Sequence, residues 1–588
     1  MIKRGFMEEI VYINEPLKEF GFYAEKHQYN TEDYLARLVR KSKLNIDENR
    51  AQAKKVDNLE KKLSSAFKSL KRWKIFKKVN IAFLIISLLF FAGSLAIAIL
   101  NKYIASIICS VIFALLFITT ILIHFLWIRK SLKSADQIHT KIKNEYNREK
   151  EIAQAQVLPL LSLFRPGMKV ALFNKTLPFA KMDSYLSNER LAQLIEQYNF
   201  NVDTGNESMI QAMQSGSIYG NPYVFFKTLN HTMGTKTYTG SIQISWTTYS
   251  YSNGNRIANH HTQTLTASID KPYPYFDDNY FMIFGSHACP DLSFTREPNS
   301  LHLMSEKELG KFVKKREKEI AKLKEKKPGF TPLANTKFEA LFNALDRNNE
   351  HQYRMLFTPL AQQNISTLLL DSKEGYGDNF IYHKNARINL FKHEHLNNLS
   401  LNDELHQYVA DYSYDVIKEK FINEQTEYFK KVYFALGPYF SIPIFQQTKT
   451  LDYIYRRVND AQLNELEYEC AISRMDDSIF KDPRVKTRQI SKTQYLQQVN
   501  GNDNIVVHNF GYDIEERVEY VSKIGGDGKV HQIPVYWDEY IRYDNTSQTE
   551  VSVPRYEIEY GEDEEIVESE TESKMMNVEQ IKITDTIE

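Results

Sequence analysis

Histidine and cysteine pairs are the residues of this 588-residue chain whose spacing comes nearest to metal chemistry. A structural zinc site needs four closely spaced Cys or His ligands. The chain offers only pairs of neighbouring residues: His260 with His261, His287 with Cys289, and His393 with His395. In a strand the first pair would point to opposite faces, and the other two pairs would each share a face. Because two ligands do not complete a site, we interpret these residues as surface or partly buried side chains and predict no metal and no cofactor.

The sequence contains no pattern that predicts catalysis. It lacks the GxxxxGK[ST] and GxGxxG phosphate loops and the GxSxG nucleophile turn. Cys289 lies two positions after His287, and we interpret it as a buried structural thiol rather than a nucleophile. The acid pairs Asp277-Asp278 and Asp476-Asp477 are adjacent, so their side chains diverge, and both stretches are predicted as loops. We predict no catalytic residue.

Lysine and arginine form the most distinctive charge cluster. Eight cations and no acid occur between Lys61 and Lys78, and Arg129, Lys130 and Lys133 form a second basic group. Cations beside an anionic leaflet contribute about 1 kcal/mol each to membrane binding. We predict membrane-surface contact for the cations nearest the apolar runs: Lys68, Lys71, Arg72, Lys74, Lys77, Lys78, Arg129 and Lys130.

Two apolar runs separate these basic groups, Val79 to Leu100 and Tyr103 to Ile128, with only Asn101 and Lys102 between them. A helix needs roughly 20 apolar residues to span a bilayer. We therefore predict transmembrane helices at 79–100 and 104–128. Because basic residues stay on the cytoplasmic side, both termini are predicted inside and the bulk of the chain cytosolic.

The first 40 residues do not resemble a cleavable signal, and the three cysteines cannot form a disulfide framework. Both observations fit the inner face of the cell membrane. Apolar positions continue at helical spacing on both sides of the spans: Val56, Leu59, Leu63, Ala66, Leu70 and Trp73 before them, and Ile128, Leu132, Ala135, Ile138, Ile142 and Tyr146 after them. This pattern predicts two coiled-coil-like extensions that pack as one stalk or pair between subunits.

Beyond the stalk the pattern becomes mixed. Lys236 to Tyr251 and Arg256 to Ile269 alternate like strands around an Asn-Gly turn, which predicts a β-hairpin. Val518 to Ile524 and Val530 to Trp537 predict a second hairpin around a glycine-rich turn. Val432 to Phe445 is apolar but contains two prolines, so it is predicted to be core rather than a span.

Leu303 to Lys327 predicts a charged helix with a capping box formed by Ser305 and Glu308. Glutamates alternate with its lysines, so a solvated spacer is favoured over a nucleic-acid surface, and no nucleic-acid partner is expected. The segment from Glu557 to Glu588 holds twelve acids against two lysines and is predicted to be a disordered acidic tail.

These elements predict an α+β membrane protein: a two-helix transmembrane hairpin with helical extensions and a mixed α+β cytosolic region. The predicted segments are an N-terminal cytosolic segment (1–42), the stalk with its spans (43–157), a β-rich subdomain (158–302), the spacer helix (303–328), a second α+β subdomain (329–556) and the acidic tail (557–588).

One stretch resembles an uncharacterised bacterial membrane family. It runs through Asn335, Phe338-Glu339, Phe342, Asp346, Arg354 and Leu356-Phe357-Thr358-Pro359, and it is similar to that family's N-x-x-F-E … F … D … R … L-x-T-P pattern. The family is known only as a domain of unknown function with two adjacent membrane helices and a cytosolic remainder. The resemblance implies a bacterial inner-membrane location and no catalytic residue.

The function predicted from these features is a membrane-anchored scaffold or regulatory binding module of unknown ligand. Its partners would be the anionic inner leaflet, an unknown protein and a second copy of the chain if the hairpin oligomerises. Two alternatives remain open at this point: an enzyme that acts on a membrane-associated substrate, and an accessory subunit of a transporter or secretion machine.

Overall fold

The computed structural model describes residues 12–101, 104–183, 186, 188–200, 205–252, 255–397, 399–401, 403, 405–447, 465–476, 478–499, 502–551, 559–560, 566–567 and 584–586. Half of the chain is helical and 29% is strand, so the predicted mixed α+β class is confirmed. The predicted acidic tail and the Asn253-Gly254 turn lie almost entirely outside the described residues.

The chain divides into two compact units, and each is described by itself. The first unit comprises residues 1–30, 166–403 and 425–588, and the second comprises residues 31–165 and 404–424. The predicted boundary at residues 303–328 falls inside the first unit. It does so because strands from both predicted subdomains join one sheet there.

The second unit is built on a long helical hairpin. Its elements are α1 (Pro16–Ser42), α2 (Ile46–Asn101), α3 (Ile104–Leu122), a π-helical turn (Ile123–Ile128) and α4 (Arg129–Leu161). Residues 16–30 of α1 belong to the first unit. Contacts join α2 to the returning helix at successive levels: Lys55 with Glu149, Trp73 with Trp127, and Phe90 with Phe113. As the residue number rises along α2, the number of its contact residue falls, so α2 and the returning helix are antiparallel.

The predicted stalk seam is largely buried in this hairpin. Val56, Leu59, Ala66 and Leu70 are buried along α2. On the returning helix Ala135 is buried, but Ile138 is 53% exposed, so the predicted stripe is wrong at that position. Full burial resumes at Glu149 and continues at Ala153, Val157 and Leu160, which the sequence pattern did not include. The reason is the spacing of the seam, which continues through the half-buried His139, Ile142 and Tyr146 in alternating steps of four and three residues, so Ile138 falls beside it.

The first unit contains a seven-stranded sheet of order β1-β2-β3-β4-β7-β6-β5. Its strands are β1 (Ala180–Met182), β2 (Ser208–Ile218), β3 (Asn221–Ser252), β4 (Asn255–Gly285), β5 (Ser293–Arg296), β6 (Phe380–Asn385) and β7 (Ile388–His393). The predicted hairpin is confirmed, with Trp246 opposite His261 and Ser252 opposite Asn255. Both strands run further than predicted, and Asp277 and Asp278 lie within β4 rather than in a loop.

A second sheet has the order β13-β10-β9-β8. Its strands are β8 (Ile490–Val499), β9 (Asn502–Ile524), β10 (Val530–Val551) and the short β13 (Thr584–Thr586), and β11 (Glu559–Tyr560) pairs with β12 (Ile566–Val567). The second predicted hairpin is confirmed, because Ile524 pairs with Val530. Its turn contains Gly528 at a φ of 76°, a conformation that favours glycine.

Helices complete the first unit: α5 (Met168–Thr176), α6 (Asn188–Tyr198), α7 (Glu306–Lys326), α8 (Thr336–Phe342), α9 (Glu350–Leu356), α10 (Pro359–Leu370), α11 (Tyr414–Ala435, shared with the second unit), α12 (Gly437–Phe440), α13 (Pro443–Gln447) and α14 (Glu465–Ser473). Short 3-10 turns lie at Leu301–Leu303 and Glu394–Leu396 in this unit and at Leu405–Tyr408 in the second unit. The predicted capping box of α7 is present, and the predicted core segment 432–445 is buried except for the half-buried Pro443 and Ile444.

The apolar spacing of residues 338–345 predicts one continuous helix through Leu345. Instead α8 ends at Phe342, because Asn343 adopts the left-handed conformation that closes a helix. The pair Thr358-Pro359 predicts a helix start, and α10 begins there: Thr358 accepts a hydrogen bond from the Ala361 amide, and Pro359 occupies the first turn.

Candidate functional site

The apolar stretches of the second unit are exposed rather than packed into a core. By length and composition two helices there can cross a membrane, Ile46–Ile97 and Ile108–Leu161. Leu89 in the first is 66% exposed, and Leu126 in the second is 70% exposed. Exposed apolar area costs roughly 25 cal/mol per Å² in water, and continuous patches of this kind mark an interaction surface. The surface is therefore suited to a nonpolar surrounding.

The predicted membrane-surface residues form a basic collar, by which we mean Lys68, Lys71, Arg72, Lys74, Lys77, Lys78, Arg129 and Lys130. All eight are exposed. The rings of Trp73 and Trp127 meet edge-on with centroids 5.6 Å apart, so the parts of the collar on α2 and on the returning helix lie at the same level. Tryptophan beside lysine and arginine is typical of the boundary between hydrocarbon and water.

A polar contact lies next to the collar and was missed by sequence reasoning. His124 Nδ1 is 3.0 Å from Asn80 Oδ1, so the π-helical turn is joined to α2 by a hydrogen bond. Considered alone, His124 near the end of its apolar run predicts an interfacial side chain that reaches water. The signal was available: Asn80 lies two residues after Lys78 and His124 lies five residues before Arg129, so each is close to a basic flank. An interhelical polar contact of this kind fixes which residues of two apolar helices face each other.

The first unit carries an open groove of about 750 Å³ between the start of α1 and helices α8 and α10. Nine of its thirteen lining residues have hydrogen-bonding side chains: Asn335, Lys337, Gln362, Gln363, Ser366, Thr367, Asp371, Ser372 and Lys373. Leu17, Phe338, Pro359 and Leu370 are its apolar walls. Neither Lys337 nor Lys373 has an ion-pair partner among the described residues. The Asp371 carboxylate already accepts backbone hydrogen bonds, including one of 2.8 Å from Tyr376. The groove therefore offers positive charge to a polar ligand.

The adjacent histidines of the β3–β4 hairpin are surface residues. His260 lies 2.9 Å from Thr247 Oγ1, and His261 lies 2.8 Å from Thr248 Oγ1. His287 is partly buried, and Cys289 is buried with its thiol donating to the Gln352 carbonyl. Burial raises the pKa of the Cys289 thiol, which keeps it protonated and unreactive. In the part of the chain that the structure describes, no group of three or more His, Cys, Asp or Glu side chains could hold a metal ion.

The acid pairs differ in environment. Asp278 forms an ion pair with Arg488 at 2.8 Å, on a strand rather than in the predicted loop. The strand persists there because its backbone continues to pair with β3, and that pairing does not depend on side-chain polarity. Asp476 accepts a hydrogen bond from the Ser478 amide at 2.9 Å, as in a turn. Asp477 lies outside the described residues.

The stretch that resembles the bacterial family forms a hydrogen-bonded network of the first unit, with its centre buried. Asn335 caps α8 by accepting from the Phe338 amide at 3.1 Å. Both carboxylate oxygens of Glu339 accept from the Arg347 guanidinium at 2.9 Å, and both side chains are fully buried. Asp346 accepts from the Thr295 amide at 2.9 Å, which ties the stretch to β5. Its polar residues therefore serve the fold.

Two buried histidines of the first unit, His27 and His393, and the half-buried His395 predict acid sensitivity. Burial lowers the pKa of His27 to about 4 and that of His395 to about 4, and burial together with the neighbouring His395 lowers the pKa of His393 well below its usual range. Below pH 6.5 the unfolded chain therefore binds more protons than the folded chain does. We expect the free energy of unfolding to be unaffected by these groups above that pH, and to fall below it by about 1.4 kcal/mol per pH unit for each histidine.

The check is urea denaturation of the purified full chain between pH 7.5 and pH 5. His393→Leu should reduce the pH dependence by about one proton. His383→Gln alters an exposed histidine of the β6–β7 hairpin, which also contains His393, and should leave the pH dependence unchanged. An unaltered slope in His393→Leu would contradict the burial of that imidazole.

Comparison with known proteins does not place the chain in a family: no family model, no curated protein and no solved structure matches it. The resemblance described above therefore stays a prediction.

Proposed function

We propose that this chain is a two-span membrane protein that anchors a cytosolic binding module at the inner face of a bacterial cell membrane. The observation that carries the proposal is the antiparallel helical hairpin, whose apolar stretches are exposed and end at the basic collar. A hydrocarbon environment removes the cost of exposing these side chains, and the anionic leaflet attracts the collar. The resemblance to a bacterial membrane family supports the same location.

In this proposal the two termini and the first unit are inside the cell. Basic residues are retained on the cytoplasmic side, and the collar lies at one end of the hairpin, whereas the turn between the spans carries only Lys102. The function is recruitment: the anchor holds the first unit close to the membrane. The groove beside Lys337 and Lys373 is its candidate ligand site, and its chemistry suits a polar ligand with negative charge.

Removing the collar's charge on α2 is expected to disturb orientation. Replacing Lys68, Lys71, Arg72, Lys74, Lys77 and Lys78 with glutamine removes the flank that retains the first span's cytosolic end, so a measurable fraction of molecules should insert inverted. The measurement is trypsin added to spheroplasts: the first unit should be protected in the wild type and partly digested in the variant.

The control replaces the same number of cations on the spacer helix α7: Lys307, Lys311, Lys314, Lys315, Lys318 and Lys322. These residues are outside the hairpin and should leave the first unit protected. Complete digestion of the wild type would contradict the proposed orientation, and equal protection of both variants would show that the collar does not set it.

A further inference from the structure

Toward its turn, over residues 518–524 and 530–536, the hairpin of β9 and β10 has one covered face and one bare face. On the covered face, Ile533 and Val535 are fully buried against the β3–β4 hairpin, where they meet Ile244 and Leu265. The opposite face carries Val518, Tyr520, Ile524, Val530, Pro534 and Tyr536, which we call the apolar face. Five of these six side chains are large apolar groups that are exposed, with Tyr520 at 62% and Tyr536 at 69%.

The apolar face is an ordered surface set by the strand register. Val518 lies opposite Tyr536, Tyr520 lies opposite Pro534, and Ile524 lies opposite Val530. Alternate residues of a strand point to one side, so these three rows share a face. A strand face of this composition normally packs against another layer. Among the described residues no layer covers it.

We propose that the partner of the apolar face is the same face of a second copy of this chain. The two central rows, Val518 with Tyr536 and Tyr520 with Pro534, each combine one tyrosine with one smaller residue. The tyrosine is on β10 in the first row and on β9 in the second. Two copies can stack face to face about a two-fold axis that is perpendicular to the strands and lies between the two central rows. Tyr520 then packs over Val518 of the other copy. In the same arrangement Tyr536 packs over Pro534 of the other copy. Large side chains therefore meet small ones throughout, as a self-complementary interface requires.

Charge selects the direction of stacking. Two polar pairs flank the two central rows on the same side of the hairpin. Glu516 lies opposite Asp538, next to the Val518–Tyr536 row, and Ser522 lies opposite Gln532, next to the Tyr520–Pro534 row. If the strands of the two copies ran in the same direction, Glu516 would meet Asp538 of the other copy, and like charges would repel. In the antiparallel arrangement Glu516 meets Ser522 and Asp538 meets Gln532. Hydroxyl and amide donors then face the carboxylates, so the antiparallel dimer is favoured.

The inference goes beyond the proposed function, since the contact is made by the first unit alone. Disulfide trapping in membranes that contain the full chain tests it, with two differently tagged copies and Cys109→Ser as background because Cys109 is exposed. One copy carries Glu516→Cys and the other Ser522→Cys. The antiparallel dimer brings these positions together, whereas the same-direction arrangement separates them by six residues, roughly 20 Å. Glu516→Cys with Asp538→Cys reports the same-direction arrangement.

We expect a disulfide-linked product from Glu516→Cys with Ser522→Cys and little from Glu516→Cys with Asp538→Cys. Adding Tyr536→Asp to both copies should lower the yield about tenfold or more, because the interface would bury an unpaired charge. Tyr251→Asp is the matched control, since Tyr251 is 76% exposed on the other long hairpin, and it should leave the yield unchanged. The proposal is overturned by product from the wrong pair only, by no product from either pair, or by a yield that Tyr536→Asp does not reduce.

Discussion

Replacing Glu339 with glutamine is expected to lower the free energy of unfolding of the first unit by about 3 kcal/mol, because it leaves a buried charge without its main partner. The Arg347 guanidinium is fully buried and donates to both oxygens of Glu339. Its contact with Glu350 at 3.0 Å remains in the variant and limits the loss. Urea denaturation of the purified full chain, followed by near-UV circular dichroism, measures the effect.

Two further variants separate loss of the ion pair from general damage. Arg354→Gln alters an exposed arginine that donates to the Thr331 carbonyl at 3.1 Å, and it should cost less than about 1 kcal/mol. Adding Arg347→Met to Glu339→Gln removes the uncompensated charge and should recover part of the stability. A loss in Glu339→Gln no larger than that in Arg354→Gln would contradict the burial of this pair.

Placing arginine in the middle of both apolar stretches is expected to release the chain from the membrane. Leu89 and Leu115 lie near the centres of the two predicted spans, and both are exposed. Each arginine costs about 2.5–3.5 kcal/mol at the centre of a bilayer, so Leu89→Arg with Leu115→Arg costs roughly twice that. We expect the variant to be extracted by alkaline carbonate, whereas the wild type stays in the pellet.

The matched control is Ser64→Arg with Ser134→Arg. These serines are exposed on α2 and α4, outside the apolar stretches, and the added charges should leave the chain in the pellet. If the Leu89→Arg, Leu115→Arg variant resisted extraction as well as this control does, the two stretches would not be in the hydrocarbon.

Elements with strong local signals could be predicted from the sequence. Strand alternation around a turn identified both long hairpins, because side chains on one strand face must match their cross-strand neighbours. The capping box of Ser305 and the N-cap at Thr358 were also predictable, since a cap depends on residues within one turn of the helix.

Features that depend on distant contacts could not be predicted. Strands β6 and β7 pair with β4 and β5 across the spacer helix, and no local pattern records that choice. The end of α8 at Asn343 depends on a single left-handed residue, which apolar spacing does not detect. The same limit applies to the candidate sites: the collar is visible as charge in sequence, whereas the groove exists only where the start of α1 meets α8 and α10.

The central claim is that the helical hairpin crosses the bilayer out and back. Cysteine labelling on intact cells with a membrane-impermeant maleimide tests it most directly, with Cys109→Ser as background. Asn101→Cys, at the turn between the apolar stretches, should be labelled without permeabilisation, and Lys62→Cys, before the collar, should be labelled only after it. Labelling of Lys62→Cys on intact cells, or protection of Asn101→Cys, would contradict the account.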